Sequence, residues 1–137
     1  INLLLAAFDK QEVEIATLAH PLAEEAEIFS PNVVKLTRDR DHRALYFSRH
    51  PIPYFRNLPK GEWAAQGKHL QHLGVYAFRK HILLEVSQLQ PSSYELAESL
   101  EQLRWLEAGY QIYVYNSPMR SIGIDTPEDL EKAKNLI

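Results

Sequence analysis

The feature that most constrains the fold of this chain is the alternation of strand-like and helix-like segments along its 137 residues. Short apolar, β-branched runs are typical of strands, and they are separated by stretches whose apolar residues recur with a helical period. Strands that alternate with helices favour an α/β architecture, in which helices cover a sheet. The predicted strands lie at 14–22, 33–39, 43–49, 72–78, 110–116 and 121–124, and the predicted helices lie at 1–9, 23–29, 80–89, 92–107 and from 127 onward.

Two of the predicted strands are joined by a short polar turn from Asp39 to His42. Strand-like alternation on both sides of a polar tip is typical of an antiparallel hairpin. A hairpin within an α/β chain makes the sheet mixed, with both parallel and antiparallel neighbours. The sequence therefore predicts an α/β fold with a mixed β-sheet and flanking helices, formed by residues 1–137 as a single domain. The proline-rich segment 50–70 has no clear periodicity, and loops of that length are often functional.

The most clearly patterned helix is predicted to begin at Ser92 or Ser93 and to run without interruption to Glu107. Ser92 and Glu95 have the spacing of a capping box, and Gly109 follows the helix as a terminating glycine. The pattern predicts one buried stripe of leucines, formed by Leu96, Leu100, Leu103 and Leu106.

On such a continuous helix, the side chains of Glu101, Gln102 and Trp105 lie away from the leucine stripe. One interpretation is a solvated helix face. A tryptophan on that face favours the alternative, in which the face contacts a ligand, another layer or another chain.

Composition and charge exclude several classes of function. The formal net charge is −3 and the isoelectric point is about 6.1, so there is no basic footprint for nucleic acid. The absence of cysteine excludes disulfides, thiolate metal sites and cysteine nucleophiles, and is compatible with a cytoplasmic location. No apolar run approaches the roughly 18 residues of a membrane span. Because the chain starts within a helical pattern and without an initiating methionine, we expect it to be part of a longer protein.

Asp125 is a candidate ligand residue at the junction of the predicted strand 121–124 and the last helix. The helix does not require it, because Thr126 can serve as the N-cap and Pro127 suits the first helical position. Ligands of open α/β sheets bind at the carboxyl ends of strands, and a carboxylate there suits Mg²⁺. The alternative is that aspartate is simply favoured in such turns.

Further candidates lie at the ends and on one face of other strands. His72 and Tyr76 are predicted to share a strand face, and Gly74 between them allows close approach of another group. Arg49 ends a strand before a proline-rich loop, where its fork can meet a carboxylate or a phosphate. The simpler interpretation of His72 and Tyr76 is that both lie beside the core with their polar atoms hydrogen-bonded. The simpler interpretation of Arg49 is an arginine at the surface. The chain has no glycine-rich phosphate loop and no serine-nucleophile or H-E-x-x-H motif.

Several stretches, taken together and in order, resemble the 3-deoxy-D-manno-octulosonate (KDO) cytidylyltransferases, the CMP-KDO synthetases of lipopolysaccharide synthesis. The most specific are YFSR, LEQLR and GIDTPEDL. The resemblance runs from about Ile15 to the end of the chain. It implies the carboxyl-terminal portion of a nucleotide-diphospho-sugar transferase with a Rossmann-like fold. The similar blocks are FSPNVVK, ALYFSRHPIPY, HLGVYAFR, ELAESLEQLRWLEAGY and IGIDTPEDLEKA.

The resemblance also implies a reaction and a set of site residues. The anomeric hydroxyl of KDO would attack the α-phosphate of CTP, giving CMP-KDO and pyrophosphate, with Mg²⁺ as the cofactor. Asp125 would be catalytic, as one of two aspartates that bind Mg²⁺. The residues that would bind KDO are Arg49, His72, Tyr76, Glu101 and Gln102.

By the same resemblance, the amino-terminal part that binds CTP is absent from this chain. Residues 1–137 would then form the acceptor-sugar-binding and dimerisation part of a cytoplasmic homodimer, without contact to membrane or nucleic acid, and would be inactive alone. Two alternatives stay open. One is a cytidylyltransferase for another acidic sugar, such as a sialic acid. The other is a non-catalytic sugar-binding or dimerisation module.

Overall fold

The computed structural model describes residues 2–118, and within them five strands form one mixed sheet in the order β3-β2-β4-β1-β5. The strands are β1 (Ile15–Pro21), β2 (Lys35–Arg38), β3 (Ala44–Ser48), β4 (Leu70–Phe78) and β5 (Ile112–Asn116). The helices are α1 (Asn2–Ala7), α2 (Glu25–Phe29), α3 (Lys80–Val86), α4 (Ser93–Glu98) and α5 (Gln102–Glu107). The predicted mixed α/β architecture is confirmed, while the elements predicted at 121–124 and from 127 onward lie outside the described residues. None of the described helices is long and apolar enough to cross a membrane.

Strand β1 is covered on both of its faces. It pairs antiparallel with β4 and parallel with β5, and all its residues from Ile15 to Ala19 are buried. Ile15 and Ala19 belong to the core cluster that also contains side chains of α3 and α5, whereas Ala16 and Leu18 belong to a second cluster with side chains of α1. Helices therefore cover both faces of the sheet at β1, as an α/β architecture requires.

The predicted hairpin is confirmed as β2 and β3, which pair antiparallel. Its tip is stabilised by the carboxylate of Asp39, which accepts hydrogen bonds from the backbone N–H groups of Asp41 at 2.9 Å and Arg43 at 2.8 Å. His42 completes the turn with a φ of 67°. Aspartate is favoured at this position because its side chain can bind the backbone two residues on.

A bulge between β1 and β4 brings His72 and Tyr76 together. Tyr76 pairs with Thr17, and His72 pairs with Ala19, so two steps along β1 match four steps along β4. In a regular strand, residues four positions apart are about 13 Å apart. Here the extra residues are accommodated by the bulge, and the His72 and Tyr76 ring centroids are only 5.2 Å apart. A pair of residues that share a face by sequence spacing thus becomes a pair in contact.

The prediction of an uninterrupted helix that ends at Glu107 is wrong. The capping box at its start is present, but α4 ends at Glu98, and Ser99 adopts a left-handed conformation with a φ of 54° before α5 begins. The break leaves the carbonyl groups of Glu98 and Ser99 without helical donors. Arg49 supplies the missing donors, because its Nε lies 2.7 Å from the Glu98 carbonyl and its Nη2 lies 3.3 Å from the Ser99 carbonyl.

The break also changes which side chains face the core. Gln102 and Trp105 are both only 6% exposed, which excludes a solvated face for them and agrees with the favoured alternative, in which that face contacts another layer. Leu96, expected in the buried stripe, is 70% exposed. Glu101, in contrast, is exposed. The reason is geometric, because a left-handed residue rotates the following helix and so shifts the phase of its apolar face.

Candidate functional site

His72 lies in an aromatic environment on the sheet. Its ring centroid is 5.0 Å from that of Phe47 and 5.2 Å from that of Tyr76. Its Nε2 lies 3.0 Å from the hydroxyl oxygen of Thr17. Burial disfavours the charged imidazolium and lowers the pKa of His72 to about 4. His72 is therefore neutral at neutral pH and can accept a hydrogen bond on one ring nitrogen.

Tyr76 presents a buried phenol beside His72. Its ring packs edge-on against Trp105, with the centroids 5.0 Å apart and an interplanar angle of 82°. Among the described residues its hydroxyl has no hydrogen-bond partner. Burial, and then the negative charge of Glu101, raise the pKa of Tyr76 far above its usual value. The phenol consequently stays protonated and has a donor for an oxygen atom of a ligand.

Glu101 and Gln102 lie at the start of α5. Gln102 is buried, and Glu101 is exposed. Glu101 lies 3.8 Å from Arg104, but Arg104 is held more closely by Glu95, with its Nε 2.7 Å from the carboxylate. Because Arg104 is engaged elsewhere, the Glu101 carboxylate has capacity to accept hydrogen bonds from a polar ligand.

Arg49 follows β3 and is fixed by the corner between α4 and α5. Three of its N–H groups donate to backbone carbonyls, those of Glu98, Pro31 and Ser99. Its backbone N–H donates to the Glu98 carboxylate at 2.9 Å, and the same carboxylate accepts a bond from the Ser48 hydroxyl at 2.7 Å. A guanidinium has five N–H donors, so two have no partner within residues 2–118 and can bind an anion.

Beneath Arg49 lies a fully buried lysine that the sequence did not single out. The Lys35 ammonium donates to the backbone carbonyls of Ser30 at 2.8 Å, Val33 at 2.7 Å and Arg49 at 2.5 Å. Burial lowers the pKa of Lys35 to about 8, a shift that the Glu98 carboxylate partly opposes. The available signal was a lysine between apolar residues in a predicted strand, a place where lysine is rarely buried unless it is paired.

A cleft with a volume of about 690 Å³ lies beside Arg49. Its lining includes residues of α4 and of the proline-rich segment. His72, Tyr76, Glu101 and Gln102 do not line this cleft. The lining residues are Phe29, Pro31, Arg49, His50, Pro51, Tyr54, Lys60, Trp63, Ala97 and Glu98.

The predicted site residues thus fall into two neighbouring groups. His72 and Tyr76 are in contact, and Glu101 is close enough to raise the pKa of Tyr76. Arg49 lines the cleft and is linked to the first group through Ser99, two residues before Glu101. Asp125 lies outside the described residues. No group of three or more histidine or acidic side chains that could hold a metal ion occurs within residues 2–118.

Comparison with known proteins agrees with the fold. A family model described as cytidylyltransferase matches residues 1–112. A 3-deoxy-manno-octulosonate cytidylyltransferase of Porphyromonas gingivalis is 47% identical over 136 residues, covering 97% of this chain and 54% of that protein. A protein of the same name from Bacteroides thetaiotaomicron is 43% identical over 140 residues, covering 100% of this chain and 56% of that protein.

A solved structure is also similar, that of a CMP:2-keto-3-deoxy-manno-octonic acid synthetase complexed with CTP. It has a TM-score of 0.84 and is 41% identical, and the match covers 98% of this chain and 53% of that one. The chain therefore spans about half the length of the curated relatives it matches. The match of the family model over most of the chain shows that it belongs to the cytidylyltransferase family.

Proposed function

We propose that this chain is the KDO-binding part of a CMP-KDO synthetase, an enzyme that forms CMP-KDO and pyrophosphate from CTP and KDO. The observation that carries the proposal is the polar group around Tyr76. In it a phenol without a partner among the described residues, a neutral histidine and an exposed carboxylate lie together. Such a set offers both donors and acceptors of hydrogen bonds, which a polyhydroxylated sugar requires.

The two groups of residues suit two parts of an acidic sugar. Arg49 lines the 690 Å³ cleft and has two N–H donors without a partner among the described residues, and a guanidinium fork matches a carboxylate. Tyr76, His72 and Glu101 suit hydroxyl groups, and the buried Gln102 follows Glu101 in the sequence. We infer that the sugar carboxylate lies toward Arg49 and its hydroxyls toward Tyr76. Held in this way, the anomeric hydroxyl would be positioned for in-line attack, which is the main contribution that binding residues make to such a transfer.

The remaining parts of the reaction lie beyond the described residues. We propose that the chain is the carboxyl-terminal portion of a cytoplasmic homodimeric enzyme and that the CTP-binding portion is a separate stretch of the longer protein. The described residues offer no metal site, so Mg²⁺ would be held by Asp125 together with groups outside this chain. Bound there, the ion would neutralise charge on the phosphates. By this proposal the chain alone is inactive.

Titration of the chain with KDO and with CTP separately, by calorimetry, tests the proposal. We expect heat of binding with KDO and none with CTP. Binding of a sialic acid in preference to KDO would instead indicate a cytidylyltransferase for another acidic sugar. Binding of neither sugar would overturn the proposal and favour a dimerisation module without a sugar site.

The Tyr76→Phe variant removes one hydroxyl group from the proposed sugar site. Affinity for KDO is expected to fall about tenfold, the effect of losing one hydrogen bond of about 1.4 kcal/mol. Stability is expected to be unchanged or slightly higher, because the hydroxyl is buried and has no partner among the described residues. Calorimetry and urea unfolding measure the two effects.

The matched control is Tyr110→Phe, which removes a hydroxyl that donates to Glu85 at 3.0 Å, on a part of the surface away from the site. This control should retain the affinity for KDO. Equal affinity of Tyr76→Phe and the unsubstituted chain would remove Tyr76 from the site.

Asp125→Asn tests the proposed metal ligand in a protein that joins this chain to a CTP-binding half. The amide keeps the size of the side chain but removes the negative charge that Mg²⁺ prefers. We expect pyrophosphate release to fall by at least about tenfold, as is typical for losses at a metal site. Thr126→Ser, a neighbouring change that keeps the hydroxyl predicted from the sequence to cap the last helix, is the control. Unchanged release in the Asp125→Asn protein would exclude Asp125 from catalysis.

A further inference from the structure

Thr17 on β1 is fully buried and touches His72, although nothing in the sequence singled it out. Its hydroxyl oxygen lies 3.0 Å from Nε2 of His72, 2.8 Å from the carbonyl oxygen of Val75 and 3.3 Å from that of Leu73. Both carbonyls belong to the bulged part of β4. The hydroxyl therefore sits where the ladder between β1 and β4 is interrupted, next to the proposed sugar-binding group.

The position of the single hydroxyl proton follows from these three distances. A carbonyl oxygen can only accept, so at 2.8 Å the Val75 carbonyl requires the Thr17 proton to point toward it. The hydroxyl then has only lone pairs to offer to His72. A nitrogen 3.0 Å from such a lone pair must carry a hydrogen, or two lone pairs would face each other in a buried place.

We infer that Thr17 is a positioning residue that fixes His72 in the tautomer with hydrogen on Nε2, leaving Nδ1 as a hydrogen-bond acceptor. His72 donates to Thr17, and Thr17 donates to the Val75 carbonyl. These two hydrogen bonds hold the His72 ring beside Phe47 and Tyr76. The bulge supplies the final acceptor, so the local irregularity of the sheet has a role in orienting His72.

A consequence for recognition rests on the proposed function. An acceptor nitrogen on an uncharged ring binds the hydroxyl of a sugar, which can donate, and does not attract a carboxylate. The low pKa of His72, caused by burial, agrees with this assignment. His72 thus selects a hydroxyl group, while Arg49 is the group suited to the sugar carboxylate.

The tautomer can be tested without any ligand, by long-range nitrogen–proton correlation spectra of the chain labelled with ¹⁵N-histidine. We expect a pyrrole-type shift for Nε2 of His72, a pyridine-type shift for Nδ1, and an Nε2 proton protected from exchange with water. Hydrogen on Nδ1, or an Nε2 proton that exchanges freely, would overturn the inference.

Variants separate the hydroxyl of Thr17 from its bulk. Thr17→Val keeps the shape of the side chain and should lose the protected Nε2 proton, whereas Thr17→Ser keeps the hydroxyl and should retain it. Thr37→Val on β2 is the matched control and should leave the His72 signals unchanged. Unchanged His72 signals in Thr17→Val would contradict the role of Thr17. If Thr17→Val does not fold, the tautomer of His72 and the exchange protection of its Nε2 proton in the unsubstituted chain decide whether the proposed hydrogen bond to Thr17 is present.

Titration with KDO distinguishes this inference from the proposed function. Binding should move the Nδ1 signal of His72, and Thr17→Val should bind about tenfold more weakly while Thr17→Ser restores the affinity. A chain with the expected tautomer that binds no KDO would overturn the proposed function and leave the assignment of Thr17 standing. KDO affinity that is equal in Thr17→Val and the unsubstituted chain would overturn the recognition role of Thr17.

Discussion

Trp105→Ala is expected to lower the free energy of unfolding by about 3–5 kcal/mol, the range for deleting a large buried aromatic side chain. Trp105 is only 6% exposed and lies in the main core cluster. Its ring packs edge-on against Tyr76 and Phe78, with centroid distances of 5.0 and 5.2 Å. Alanine would leave a cavity between α5 and β4 that the surrounding sheet cannot fill by relaxation.

Urea unfolding followed by circular dichroism measures this effect. Leu96→Ala is the matched control, because Leu96 is 70% exposed and its truncation should cost no more than about 0.5 kcal/mol. The loss of stability caused by Trp105→Phe should lie between those of the two alanine variants, since phenylalanine keeps part of the buried ring. Equal midpoints for Trp105→Ala and Leu96→Ala would show that Trp105 faces solvent and would contradict its place in the core.

The contrast between Trp105 and Leu96 shows what the periodic pattern could not predict. The capping box and the repeated leucines all fit one continuous helix, and nothing local to Ser99 marks a break. The break depends on groups distant in sequence, because Arg49 binds the carbonyls of Glu98 and Ser99 and the Glu98 carboxylate binds β3. Such contacts arise only when the strands have assembled, so local propensity cannot reveal them.

The strands and the hairpin were predictable because their signals are local. Alternation around a polar tip identifies β2 and β3, and the spacing of His72 and Tyr76 identifies a shared face. The contact between those two rings was not predictable, because it requires the bulge opposite Thr17. The roles of Lys35 and Thr17 were missed for a related reason. Each binds backbone carbonyls that a sequence does not place in space.

Lys35→Met is expected to lower the free energy of unfolding by about 2–4 kcal/mol at pH 7, because backbone carbonyls that leave solvent without a donor cost about 1–3 kcal/mol each. Three carbonyls, those of Ser30, Val33 and Arg49, lose the ammonium donor in this variant. Removal of the buried positive charge offsets part of that loss, because burying an ammonium group costs free energy. Affinity for KDO should also fall, since the Lys35 ammonium holds the backbone of Arg49 in place.

The pH dependence of stability provides a signature specific to Lys35. Its pKa is 10.5 in the unfolded chain and about 8 in the folded one, because burial disfavours the ammonium. Between these values the unfolded state binds more protons, so folding stability rises with pH from about 8 to 10. With allowance for screening by solvent, the rise is on the order of 1–2 kcal/mol. Above pH 10 the raised pKa of Tyr76 acts in the opposite direction, because tyrosine in the unfolded chain loses its proton first.

The groups that face Lys35 do not produce this rise. They are Glu98, Arg49 and the buried His69, and the Lys35→Met variant keeps all three. Burial lowers the pKa of His69, which places its titration below the window. Urea midpoints at pH 7, 8, 9 and 10 should therefore rise for the unsubstituted chain and for Lys80→Met, an exposed control, and stay flat for Lys35→Met. A falling or flat profile for the unsubstituted chain would mean that the Lys35 ammonium is not desolvated, and the backbone of Arg49 would then need another anchor.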